Sequence, residues 1–199
     1  MKKSVLCIIL ISYLFTSQLI SYKVKSATAT VPLSVTVNGS LLITNADNDS
    51  ASGKNPTINV DLKVTPDLGQ ATVTGNANFR IRSNYTRWRL TSQRTASNTG
   101  GTGLTDNDIS LTVTKVAGNT GNINSGTILS PFTAATNLTS ISTVSPVNVI
   151  SGIAKTSSAK DGQNKENYFQ VNTKYGVNPD FFYTPGTYST TITYNLVSP

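Results

Sequence analysis

Histidine is missing from this 199-residue chain, glutamate occurs once, at Glu166, and the single cysteine is Cys7. Without histidine there is no Ser-His-Asp triad and no imidazole-based zinc site. One cysteine beside the amino terminus leaves no disulfide framework and no thiol nucleophile paired with a base. Of the 9 acids all but Glu166 are aspartates, mostly in turn contexts, and no two stand out as the carboxylate pair of a glycosidase. No G-x-S-x-G elbow occurs among the many serines. Charged residues make up only 13% of the chain, and no window is dominated by the strong helix formers Glu, Lys and Ala, which argues against a helical bundle. The expectation is a protein that is not an enzyme and carries no metal and no cofactor.

What is present begins with an export pattern. Lys2 and Lys3 precede the apolar run Val5–Phe15, Thr16-Ser17-Gln18 interrupts it, and Ala27-Thr28-Ala29 supplies small residues at a cleavage position. This order reads as a signal peptide over 1–29, cut after Ala29 or, alternatively, after Ala27. The run is shorter than the roughly 20 apolar residues of a spanning helix, and no other run approaches that length. The mature chain is therefore expected not to span a membrane. Removing four lysines leaves 12 basic residues against 9 acids, so the net charge falls from +7 to +3. An exported domain of about 170 residues buries a core without disulfides, and the combination points to a bacterial protein that is secreted, at the cell surface or in the periplasm.

From residue 30 on, the dominant pattern is period two. Val31–Val37, Ile58–Val64, Ile109–Thr114 and Tyr188–Leu196 alternate apolar and polar residues, as strands with one buried face do. Shorter candidates are Ala71–Thr74, Phe79–Ser83, Arg87–Thr91, Val147–Ile150 and Tyr168–Asn172. Between them lie turn signals such as Asn38-Gly39, Pro66-Asp67-Leu68-Gly69 and Pro185-Gly186. The segment Ser130–Ser145 has the weakest pattern. The fold class this implies is all-β, an antiparallel immunoglobulin-like β-sandwich forming one domain over 30–199.

Two clusters are candidate ligand sites. In Phe79–Leu90 strand geometry turns Phe79, Ile81, Trp88 and Leu90 inward and Arg80, Arg82, Arg87 and Arg89 outward. Interleaved bases and aromatics resemble a nucleic-acid surface, but a solvated strand face with Trp88 as core anchor explains them, and no nucleic-acid partner is expected. Four arginines on one outer face would suit anionic glycans or lipopolysaccharide phosphate. Phe181, Phe182 and Tyr183 either stack on sugar rings or plug an open end of the sandwich. The loop Asn45–Ser50 spaces oxygen ligands like a calcium loop, yet lacks the glycine and the bidentate glutamate of one, and Asx turns account for it.

The two ends of the mature chain resemble exported bacterial β-sandwich subunits, namely chaperone–usher pilins of the colonisation-factor type and spore coat U-like proteins. The residues that carry the resemblance are Ala29–Val37 and Pro185–Leu196, the latter like a closing G-x-Y-x-x-x-hydrophobic strand. The resemblance implies that a neighbour's amino-terminal strand completes the fold, with Val31, Leu33, Val35 and Val37 as the inserted row. Asn38-Gly39 is also a hairpin signal, under which residues 31–44 fold back with Val35 opposite Leu42. Both readings stand at this point. The function expected is a secreted, non-catalytic surface, pilus-like or matrix subunit that associates with itself or with other surface subunits. The alternative is a carbohydrate-binding, adhesin-like module with glycans as partners.

Overall fold

Alternation in the sequence becomes two antiparallel sheets in the computed structural model, which describes residues 31–162 and 165–199. The expected signal segment, 1–29, lies outside the described residues. The strands are β1 (Leu41–Asn45), β2 (Val73–Ser83), β3 (Trp88–Arg94), β4 (Ile109–Ala117), β5 (Gly126–Ile128), β6 (Thr136–Asn137), β7 (Val147–Gly152), β8 (Phe169–Val177) and β9 (Ile192–Val197). One sheet has the order β1-β2-β8-β4-β6, the other β5-β7-β3-β9. Among the described residues there is no α-helix, and none is long and apolar enough to cross a membrane. The chain is an all-β sandwich.

The inner faces follow from the period-two rule. Ala77, Phe79 and Ile81 of β2, Leu111 and Val113 of β4, and Phe169, Val171 and Tyr175 of β8 meet Trp88 and Leu90 of β3 and Val149 and Ile150 of β7. Val149 and Ile150 are neighbours yet both buried, because the β3–β7 register shifts between Leu90 and Thr91. Trp88 is fully buried, stands edge-on to Phe169 at 5.5 Å, and donates its indole N–H to the Ala154 carbonyl at 2.8 Å. Two glycines make room for it. A Cβ on Gly152 would stand 2.1 Å from the indole Cδ2, and one on Gly126 2.7 Å from Cη2. Phe132, Leu138 and Ile141, from the weakly patterned stretch, are buried members of this core.

Three expectations are corrected. Phe79–Leu90, expected to carry four arginines on one outer face, spans both sheets: β2 and β3 lie in different sheets, and Asn84–Arg87 is a corner between them. The hairpin over 31–44 is not the pairing of β1, because Leu42 stands opposite Arg82 of β2 and Val31–Val37 belongs to no strand. Asn84 instead holds the Asn38-Gly39 dipeptide, accepting from the Ser40 N–H at 2.7 Å and donating to the Asn38 carbonyl at 2.8 Å. Gly39 is needed for space, since the Tyr85 ring lies where its Cβ would be. Lastly, Ile58–Val64 alternates but pairs with no strand among the described residues.

Candidate functional site

The sandwich is unfinished along one side. β1 covers β2 only from Phe79 to Ser83, and the Ala46 N–H just past it donates to the Asn78 carbonyl at 3.2 Å, so the first half of β2, Val73–Ala77, is laddered to β8 alone. In the other sheet β9 is laddered to β3 and has no strand on its outer side among the described residues. These two edges border the same seam. Phe79 of β2 meets Tyr194 of β9 at 5.1 Å, and the Tyr175 and Tyr194 hydroxyls are 3.1 Å apart across the layer. Burial pushes both phenols up, Tyr194 well above the ordinary value because Tyr175 adds to the effect. The inward residues of β9, Ile192, Tyr194 and Leu196, are only half-buried, unlike those of the central strands.

Free edges invite another strand, and the other three are blunted. β6 has two residues and β5 three. β1 is capped by its own following loop, where Thr44 bridges Lys54 and the Asn55 N–H donates to the Ile43 carbonyl at 3.0 Å. β9 has six residues, Ile-Thr-Tyr-Asn-Leu-Val, without a charge or a proline.

Ile58, Val60, Leu62 and Val64 fill the apolar side of the seam. They are half-buried against the core, while Asn59, Asp61, Lys63 and Thr65 are exposed. Val60 and Leu62 lie over Gly75, where an added Cβ would stand 2.7 Å from Val60 Cγ1 and 2.8 Å from Leu62 Cδ2. Yet among the described residues, 57–66 make no backbone–backbone hydrogen bond. Half-burying four aliphatic side chains stabilises by about 3–6 kcal/mol. A laddered strand in the same place would add about 0.5–1.5 kcal/mol for each hydrogen bond. The seam is thus plugged by side chains and left unpaired by backbone.

The candidate donor row is highly exposed. Val31, Leu33, Val35 and Val37 are 85%, 89%, 77% and 81% exposed and lie in no strand.

The four arginines do not share a face. Arg80 and Arg82 project from the outer side of β2, Arg89 from β3 in the opposite sheet, and Arg87 from the corner. Arg80 and Arg82 are also engaged internally. Asp49 accepts from Arg82 at 2.6 and 2.7 Å, from Arg80 at 2.9 Å and from the Thr44 hydroxyl at 2.7 Å. Arg80 lies over the Tyr168 ring at 4.0 Å, and Arg82 donates to Asn167 at 2.8 Å. Partial burial by itself would raise the Asp49 carboxyl, but the Arg82, Thr44 and Arg80 hydrogen bonds outweigh it and hold the group well below the usual carboxylate range. The oxygen-rich loop Asn45–Ser50 therefore serves as an arginine clamp, and the single anionic-ligand patch is not assembled. Among the described residues no three of His, Cys, Asp and Glu gather as a metal site.

Phe181 and Phe182, at 71% and 79% exposed, are not core plugs. They ride on a loop fixed by the Thr184 N–H to the Thr102 carbonyl, 3.0 Å, and the Phe182 N–H to Asp180, 2.8 Å. Tyr183 is half-buried and edge-on to Phe182. Burial first, then Asp108, pushes its phenol up. A second internal cluster fixes the neighbouring loop to the segment before β9. Asp106 accepts from Arg94 and Ser97 at 2.5 Å and from the Tyr188 hydroxyl at 2.6 Å.

Sequence reasoning missed the seam itself, Gly75, and Asp49 as an arginine partner. A glycine inside an alternating strand is a signal of close approach, and Gly75 carries it. No protein-family model, no curated protein and no solved structure matches the chain.

Proposed function

We propose that the chain is an exported, non-catalytic bacterial surface subunit, pilus-like or matrix-forming, in an immunoglobulin-like variant of the sandwich. It associates by laying the Val31–Val37 row of one copy, or the equivalent strand of another surface subunit, into the seam between β2 and β9. The single observation that supports this reading is the exposure of that row: four aliphatic side chains at period two, all open to water, beside a described fold whose edge strand β9 carries no charge. Strand addition joins the two features, because main-chain bonds supply affinity and alternate side chains fill the inner face. The test is electrophoresis in detergent with and without heating. The full chain gives a ladder that heat dissolves, and Leu33→Asp with Val35→Asp abolishes it. A chain that stays monomeric at every concentration contradicts the proposal.

Exposed Phe181 and Phe182 beside the Tyr183 hydroxyl favour a second reading, a carbohydrate-binding module, since sugar C–H faces stack on such rings. Glycan-array binding lost in Phe181→Ser/Phe182→Ser supports it, and an array without signal removes it.

A further inference from the structure

The seam is already occupied on its apolar side, and the occupant has the same spacing as the row proposed to enter it. Ile58-Asn59-Val60-Asp61-Leu62-Lys63-Val64 and Val31-Pro32-Leu33-Ser34-Val35-Thr36-Val37 each present four aliphatic residues at every second position. Resting on the strand-addition reading, we infer that Ile58–Val64 is a resident cover. It is an autoinhibitory segment that holds the inner positions of the seam and must leave before a strand from a second copy lies there.

Three features carry this. The segment is held by side chains alone: Ile58, Val60, Leu62 and Val64 pack on the core while its backbone forms no ladder. It can therefore depart without breaking a sheet hydrogen bond, whereas an incoming strand gains a ladder on arrival. Its contact surface is shaped for it, since Gly75 removes the Cβ that would otherwise strike Val60 and Leu62. Its ends are turn-forming. Pro56 precedes it, and Pro66-Asp67-Leu68-Gly69 follows with Gly69 at φ 70°, a conformation open to glycine. Beyond it the chain is held only locally, by the Leu68–Gly69 turn and the Leu68 N–H donating to Asp67 Oδ1 at 2.7 Å. The cover keeps apolar inner positions from water and slows self-association until a competing strand is present.

The experiment locks and releases the cover in the full chain, with Cys7→Ser to avoid mispairing. The lock is Val60→Cys with Gly75→Cys, since a Cβ on Gly75 would stand 2.7 Å from Val60 Cγ1, the position a cysteine sulfur takes. The release is Val60→Asp with Leu62→Asp, which alters the cover and leaves the seat on β2 intact. The probe is a fluorescent synthetic peptide of residues 30–38, followed by anisotropy against a peptide of scrambled order. Capture at least tenfold slower with the disulfide closed, restored by reductant, and severalfold faster in the Val60→Asp/Leu62→Asp chain supports the cover. Capture that is equal in closed, reduced and aspartate-bearing chains shows a seat without a cover and overturns this inference alone. No capture by any form, or equal capture of the scrambled peptide, overturns the strand-addition reading and the cover with it. If the cysteine pair fails to fold, the Val60→Asp/Leu62→Asp comparison decides, and capture no faster than native counts against the cover.

Discussion

The Cβ that Gly75 lacks would stand 2.7 Å from Cγ1 of Val60, so β2 and the segment above it approach through one missing methyl group. Gly75→Val is expected to cost about 1–3 kcal/mol by overpacking, with the loss confined to the cover. Trypsin cleavage after the exposed Lys63 should accelerate severalfold, while β3, β7 and β8 keep their protection. Unchanged cleavage would mean that the contact does not hold the segment.

Amide exchange separates side-chain burial from backbone pairing. Residues 57–65 should exchange at rates near those of an open loop despite four half-buried side chains, because no ladder protects them. Slow exchange there would indicate strand pairing and close the seam.

The indole pocket is the least tolerant place in the fold. Gly152→Ala puts a methyl group into the Trp88 ring and should cost about 1–3 kcal/mol. Trp88→Ala should cost about 3–5 kcal/mol by leaving a cavity. Urea unfolding measures both, and a Gly152→Ala chain as stable as native would contradict the packing.

Stability should fall at both pH extremes. Asp49 and Asp106 titrate lower in the fold than in the unfolded chain, where the ordinary value is 3.8. Their contribution is complete above that value and is lost as pH falls below it. Tyr188 is pushed up to about 12, by burial first and then by its hydrogen bond to Asp106. Its contribution is intact below pH 10 and is lost as pH rises from 10 to 12. Urea midpoints across pH check this, and Asp49→Asn should lower the neutral-pH midpoint while flattening the acid limb.

Alternation located most of β4, β7 and β9 and parts of β2, β3 and β8 because it reports which face of a segment is buried. It cannot report whether the backbone is paired, which is why Ile58–Val64 read as a strand. β1 was not legible because Leu41-Leu42-Ile43 does not alternate, and β5 and β6 are too short to show a period. The donor row was visible in the sequence. The seam was not, because it depends on β9 lying at an edge and on β1 stopping short, both set by long-range pairing. Each arginine was turned outward as the period requires, but the period says nothing about which sheet it leaves. Arg82 and Asp49 are 33 residues apart, a separation that only the β1–β2 pairing closes.

The most direct test of the unfinished sandwich is hydrogen exchange at β9 and the first half of β2 with and without the residue 30–38 peptide. Those amides of Ile192–Val197 that do not bond to β3, or those of Val73–Ala77 that do not bond to β8, should become protected on peptide binding, while β5 and β7 stay unchanged. Exchange at both edges that is indifferent to the peptide, or already slow in its absence, would contradict the account.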